Sequence, residues 1–327
     1  MGKKKRVVKI KKVKDKIKAS KKKVSKFIKK NEVKKKANDR KINMGAIASE
    51  IKQALVKEQR APVAKLSKKN LIERKTSKNG DKKEYVKTGI EGFDALLDNG
   101  IPKGNSIIVA GGTGSGKTLF CLQTLYNHAS KGEKCLYMTF EENEERLVNH
   151  MEDFGWKPKE LIKKGKLQVT RINPFDITRN VDALLAKQKG ELLIDVDPVI
   201  LPKNFAKPDY IVIDSLTAIS SAFTGKEDSY RIYIEQLFRF LEKTGATSFL
   251  ITETEQVPKI FSQTGVEEFL ADGVIVLYAI KHGNVRENAI EILKLRGASH
   301  QKKIVAMQIT SEGVMIYPEQ EVFSEID

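Results

Sequence analysis

Eight consecutive residues, Gly111, Gly112, Thr113, Gly114, Ser115, Gly116, Lys117 and Thr118, follow the spacing G-x-x-x-x-G-K-T. The chemistry of that spacing is phosphate binding. Glycines let successive backbone N–H groups turn inward around a phosphate, and a helix starting at the end of the loop adds its positive dipole end. Lys117 is long enough to reach β- and γ-phosphates, and the Thr118 hydroxyl suits Mg²⁺. Leu119, which opens the following helix, is counted with them as nucleotide-facing, so the implied ligands are a nucleotide and Mg²⁺. A second pair, Glu141 and Glu142, closes the apolar run Cys135–Phe140. If that strand neighbours the phosphate-loop strand, a carboxylate there can orient and deprotonate an attacking water. The alternative is an acidic helix start, because Asn143-Glu-Glu145 continues the charge. Asp214 ends the run Tyr210-Ile-Val-Ile-Asp214, the pattern that holds a Mg²⁺ shell beside the loop threonine. Thr252 and Glu253 end another strand, either sensing a γ-phosphate or capping it. Lys294 and Arg296, two apart, share one face of a strand, where a pair of cations suits a phosphate or lines a solvated edge.

These residues need a scaffold that brings strand ends to one rim. Ser106–Ala110, Cys135–Phe140, Tyr210–Asp214 and Thr247–Glu253 read as short buried strands separated by helical spacing such as Leu119–Ser130. Alternating strands and helices of this kind predict an α/β core with a mainly parallel sheet flanked by helices, its ligands on the carboxyl rim. Towards the C-terminus the texture changes to strands in series: 273–280, 289–295, 302–309 and 313–316 predict an antiparallel meander. Residues 175–205 read as an insertion, with Leu193, Ile194, Val199 and Ile200 among prolines and charges.

Charge divides the 327-residue chain. Residues 1–90 carry 33 basic and 8 acidic side chains, whereas the remainder carries 27 and 34. The predicted division is therefore a lysine-rich extension, residues 1–84, and a globular body, residues 85–327. The extension cannot bury enough apolar surface to fold by itself, yet Ile10, Val13, Ile17, Val24 and Phe27 form a narrow helical stripe among lysines. Ile47, Ile51 and Leu55 form a second stripe, ended by Pro62. The extension thus reads as largely disordered or helical. Three roles stay open for it: a solvated tail, an electrostatic arm for nucleic acid that would be blind to sequence, and a basic helix on an anionic membrane surface. Neither a 7–15-residue apolar signal core nor an 18-residue apolar span occurs. Cys121 and Cys135 are too few for a disulfide framework or zinc site. These features predict a cytoplasmic protein with reduced thiols.

Taken together, the body resembles the KaiC-like branch of RecA-type ATPases, from about Thr88 to Pro318. The resemblance is carried by Thr88-Gly-Ile-Glu-Gly-Phe-Asp-Ala-Leu-Leu97, Gly100-Ile-Pro-Lys-Gly104, Thr139-Phe-Glu-Glu142, Ile213-Asp-Ser-Leu-Thr217, Gly265-Val-Glu-Glu-Phe-Leu-Ala-Asp-Gly-Val274 and Glu291-Ile-Leu-Lys-Leu-Arg-Gly-Ala-Ser-His300. It implies a RecA-like P-loop fold and ATP bound between neighbouring copies of the chain in a ring, usually a hexamer. Glu141 and Glu142 would activate water, while Lys294 and Arg296 would reach the neighbour's γ-phosphate in trans, with His300 nearby in the same interface. The clock proteins of the family have two tandem domains, whereas this sequence has one P-loop. Archaeal recombinases carry a Phe-x-x-Ala peg that is missing here, and the bacterial RadA relatives start with a zinc ribbon that two distant cysteines exclude. The resemblance is thus to a single-domain, archaeal-style member with a basic extension of its own. Two functional expectations follow. One is an ATPase tethered to nucleic acid through the extension, as a recombination or repair accessory. The other is a slow nucleotide-dependent switch or scaffold acting through an unknown protein partner or at a membrane.

Overall fold

A computed structural model describes residues 83–173, 177, 197–258, 260–282 and 284–322. The helical stripes of the extension and most of the 175–205 insertion, including Leu193 and Ile194, lie outside the described residues. Within the insertion's described end, Val199 is buried and Ile200 is exposed.

Nine strands form one sheet in the order β11-β10-β9-β8-β3-β7-β6-β4-β5. Its parallel part comprises β3 (Ser106–Gly111), β4 (Cys135–Thr139), β5 (Leu167–Arg171), β6 (Tyr210–Asp214), β7 (Thr247–Glu253) and β8 (Gly273–His282). From β8 the sheet continues antiparallel through β9 (Val285–Leu295), β10 (Val305–Thr310) and β11 (Gly313–Glu321). The predicted α/β class and C-terminal meander are the architecture found. A two-residue pairing of β1 (Tyr85–Val86) with β2 (Ile101–Pro102) stands apart.

Every residue of β3, β4 and β6 is buried, as expected of parallel strands covered on both faces. Alternation sorts them: Ile107 and Val109 enter one core, Ile108 and Ala110 the other. The first core lies under α2 (Lys117–Ser130), α3 (Glu144–Asp153) and the short α1 (Glu91–Asp94). The second lies under α5 (Leu216–Ser221) and α6 (Glu227–Thr244). Helix α6 shows why it docks there. Tyr230, Tyr233, Ile234, Leu237, Phe238 and Leu241 form one buried stripe, its first turn is acidic, and Gly245 ends it in the left-handed conformation. Between these helices come α4 (Pro158–Lys163), and before β8 the five-residue α7 (Val266–Leu270).

The sheet order settles a condition that the sequence left open. Strand β4 does not neighbour the phosphate-loop strand β3, since β7 and β6 intervene. The carboxylates still reach the loop, because the chain leaves β4 over the end of β6: the Phe140 N–H donates to the Asp214 carbonyl (2.7 Å) and the chain then bends. Nor do Glu141 and Glu142 begin a helix. Asn143 caps α3, its side chain accepting from the Glu145 N–H at 2.8 Å, so the two glutamates precede the helix on the rim.

Candidate nucleotide site

At the carboxyl rim of the sheet lies a cavity of about 560 Å³. Its floor is the loop between β3 and α2. Gly114 and Gly116 have φ of 79° and 95°, which side-chain-bearing residues rarely adopt, and Gly116 is the N-cap of α2. No side chain caps α2 and its first turn holds no acidic residue. The free amides of a 14-residue helix, together with its dipole, thus face the cavity as an anion site.

Lys117 is 7% exposed, and its ammonium donates to the Gly112 carbonyl at 3.0 Å. Burial pushes its pKa down, while the nearby Glu253, Asp214 and Glu141 carboxylates oppose the shift. The Thr118 hydroxyl donates to Asp214 Oδ2 (3.2 Å), and so does the Tyr137 hydroxyl (2.5 Å). Burial lifts the Asp214 carboxyl to about 6, with the Glu141 charge adding to the rise and the Tyr137 hydrogen bond opposing it. The Tyr137 phenol, fully buried, is pushed far up and stays a donor. Glu141 Oε1 accepts from the Ser215 hydroxyl at 2.6 Å, and Ser215 also caps α5 through the Ala218 N–H. Glu142 pairs instead with Arg146, 3.4 Å away. Glu253 lines the cavity too. Its N–H donates to Thr217 Oγ1 and its carbonyl accepts from Gln263. The rest of the lining includes the apolar Leu119, Leu122, Phe154 and Ile309 as well as His150 and Asp153.

The structure therefore brings Thr113, Gly114, Gly116, Lys117, Thr118, Leu119, Glu141, Glu142 and Asp214 to one cavity. Gly111 ends β3 beneath them, Gly112 offers its carbonyl to Lys117, and Ser115 is fully buried in the loop. Lys294, Arg296 and His300 are elsewhere. Strand β8 runs parallel to β3, with Leu277 beside Gly111 and Val274 beside Ile108, and Lys294 pairs with Val274. The Lys294 ammonium donates to the carbonyls of Glu268 (2.8 Å) and Ala271 (2.7 Å), where the chain enters β8. Arg296, one residue beyond β9, donates to the Phe269 carbonyl at 2.8 Å. Both cations thus sit towards the opposite rim from their own P-loop. His300 bridges to Leu97, away from the cavity.

Sequence reading missed Tyr137, Ser215 and the apolar lining of the cavity. Ser215 carried a signal, since it directly follows Asp214 and precedes a helix. Tyr137 read as an ordinary strand aromatic, and the residues of α3 and β10 come together only through the fold.

The donor set fits a nucleoside triphosphate with a hard divalent cation: free helix amides, one ammonium, and a hydroxyl beside a carboxylate. Mg²⁺ is commonly held by one or two protein oxygens plus phosphates. Accordingly no cluster of three or more His, Cys, Asp or Glu poised for a metal occurs among the described residues.

Sheet order, loop and rim carboxylates define a P-loop protein of the RecA type. Comparison with known proteins narrows this: a family model described as "ATPase: KaiC" matches residues 86–321. The chain belongs to the KaiC ATPase family. It is 33% identical over 244 residues to the circadian clock oscillator protein KaiC of Synechococcus elongatus, covering 71% of this chain and 44% of that one. The KaiC of a Nostoc species is 34% identical, covering 74% and 46%. The chain thus spans less than half the length of these curated relatives. A crystal structure of a KaiC-like protein from the hyperthermophilic archaeon Pyrococcus horikoshii superposes with a TM-score of 0.59 at 31% identity, covering 72% of this chain and all of that one.

Proposed function

We propose that this chain binds ATP with Mg²⁺ in the rim cavity and hydrolyses it within an assembly of identical copies. The observation that carries the reading is the convergence of Lys117 and Thr118, Glu141, and Asp214 on one cavity from three separate segments. When bound, Mg²⁺ would supply charge neutralisation at the phosphates, with Thr118 and Asp214 as its protein ligands. Lys117, held at the loop by the Gly112 carbonyl, exchanges that bond for phosphate oxygens. Glu141, oriented by Ser215, takes the proton from the attacking water, and Glu142 adds negative charge beside it. The apolar part of the lining, Leu122 and Phe154 among it, accommodates the base.

Lys294 and Arg296 are out of reach of their own cavity. They therefore serve a neighbouring copy, neutralising charge on its γ-phosphoryl group as the phosphoryl transfers. We assign this ATPase unit to residues 85–327 and propose that residues 1–84, which carry most of the basic excess, act as a separate electrostatic arm for nucleic acid. In the test of hydrolysis, the wild-type protein releases phosphate from ATP. Glu141→Gln combined with Glu142→Gln retains ATP binding and stops release. Wild-type protein that binds ATP but releases no phosphate at any concentration would leave only a nucleotide-responsive switch.

A further inference from the structure

Strand β4 presents Tyr137 in a setting that its packing alone does not explain. The side chain is 0% exposed and belongs to the core shared with Cys121, Leu125, Val212 and Ile251. A phenylalanine would satisfy that apolar environment without carrying into it a hydroxyl, which is costly to bury unless it finds a partner. The hydroxyl has one destination. In the β4–β6 register Tyr137 lies opposite Val212 and Thr139 opposite Asp214. A long aromatic side chain can therefore reach the diagonal position two residues along the neighbouring strand. It does so and donates to Asp214 Oδ2 at 2.5 Å. Thr118 Oγ1 donates to the same oxygen. Both bonds fall on Oδ2, and no described residue bonds Oδ1, while Asp214 itself lines the cavity.

We propose that Tyr137 is a positioning residue for the divalent cation: its hydroxyl locks the Asp214 carboxylate so that Oδ1 is presented to the metal or to a water of its shell. The inference rests on the nucleotide reading of this cavity. Partners behind a metal-ligating carboxylate fix its orientation, and losing one commonly costs about 10–100-fold in metal affinity at a dedicated site. Here phosphates share the ion, so a smaller effect is expected.

The test uses the full chain and equilibrium binding of ADP, which avoids turnover, in excess Mg²⁺ and in EDTA. The ratio of the two affinities isolates the metal's contribution. Tyr137→Phe should lower that ratio roughly five- to tenfold, with affinity in EDTA within about twofold of wild type and a cooperative thermal transition retained. Asp214→Asn should lower the ratio as well, and adding Tyr137→Phe to Asp214→Asn should change nothing further, because Tyr137 acts through Asp214. An unchanged ratio in Tyr137→Phe, or an equal loss in Mg²⁺ and EDTA, would overturn the proposal and leave Tyr137 a core residue. Should the Phe variant unfold, a Mg²⁺ dependence in wild type that survives in Asp214→Asn would overturn it equally. Wild-type protein that binds no ADP in either condition would instead overturn the nucleotide reading itself.

Discussion

Asp214 concentrates the chemistry of the site in one carboxyl group that the fold holds at a cost. Its pKa rises from 3.8 to about 6, chiefly because burial disfavours the charge. A carboxyl whose folded pKa lies above its unfolded value favours folding while protonated. That contribution is complete below pH 3.8 and is lost as pH rises to about 6. At neutral pH the ionised group therefore costs the ligand-free protein on the order of 2–3 kcal/mol. Asp214→Asn should raise the melting temperature at pH 7.5 by several degrees and change it little at pH 4, as scanning calorimetry in EDTA would record. An equal shift at both pH values would mean the carboxyl is not the source. If Asp214 holds the cation as proposed, the same substitution should weaken Mg²⁺-dependent nucleotide binding, so that stability and function oppose each other at this one residue.

Among the elements, the sequence made legible whatever depends on local pattern. The run Tyr210–Asp214 and the run Thr247–Glu253 became strands with those bounds, because three or four consecutive apolar residues closed by polar ones specify a buried strand and its end. The P-loop was legible from eight residues. Strand order was not: β4 lies three positions from β3, a consequence of long-range pairing that no local spacing encodes. Tyr137 escaped notice for the same reason, since its role depends on which strand lies beside it. The Gly92 position in the segment leading to the P-loop was likewise silent until packing explained it. A Cβ there would lie 1.9 Å from the Ile316 carbonyl oxygen, where α1 presses on β11. Gly92→Ala should therefore destabilise the body by about 1–3 kcal/mol, seen as a lower urea midpoint with unchanged slope. An unaltered midpoint would mean that α1 does not pack this closely.

On the scale of the whole molecule, two features extend beyond one folded body. Residues 1–90 carry 33 basic against 8 acidic side chains, whereas the rest is mildly acidic. If the extension is an electrostatic arm, full-length protein binds single-stranded DNA at 50 mM salt and loses about 10³-fold or more in affinity by 200 mM. A chain beginning at residue 85 should show no such binding, and retention of affinity by that truncation would dismiss the arm. The second feature is the separation of the residues proposed to act together: Glu141 and Lys117 stand at one rim of the sheet, Lys294 and Arg296 towards the other. If Lys294 and Arg296 serve a neighbouring copy, as proposed, a complete site needs two copies of the chain. The most direct test mixes two proteins that are each inactive, Arg296→Ala and Glu141→Gln, and follows phosphate release from ATP. In the mixture, an intact cavity of the first meets an intact arginine of the second, so activity should rise well above that of either protein alone. Mixtures as inactive as their components, or an Arg296→Ala protein that hydrolyses ATP at the wild-type rate, would contradict a site shared between copies.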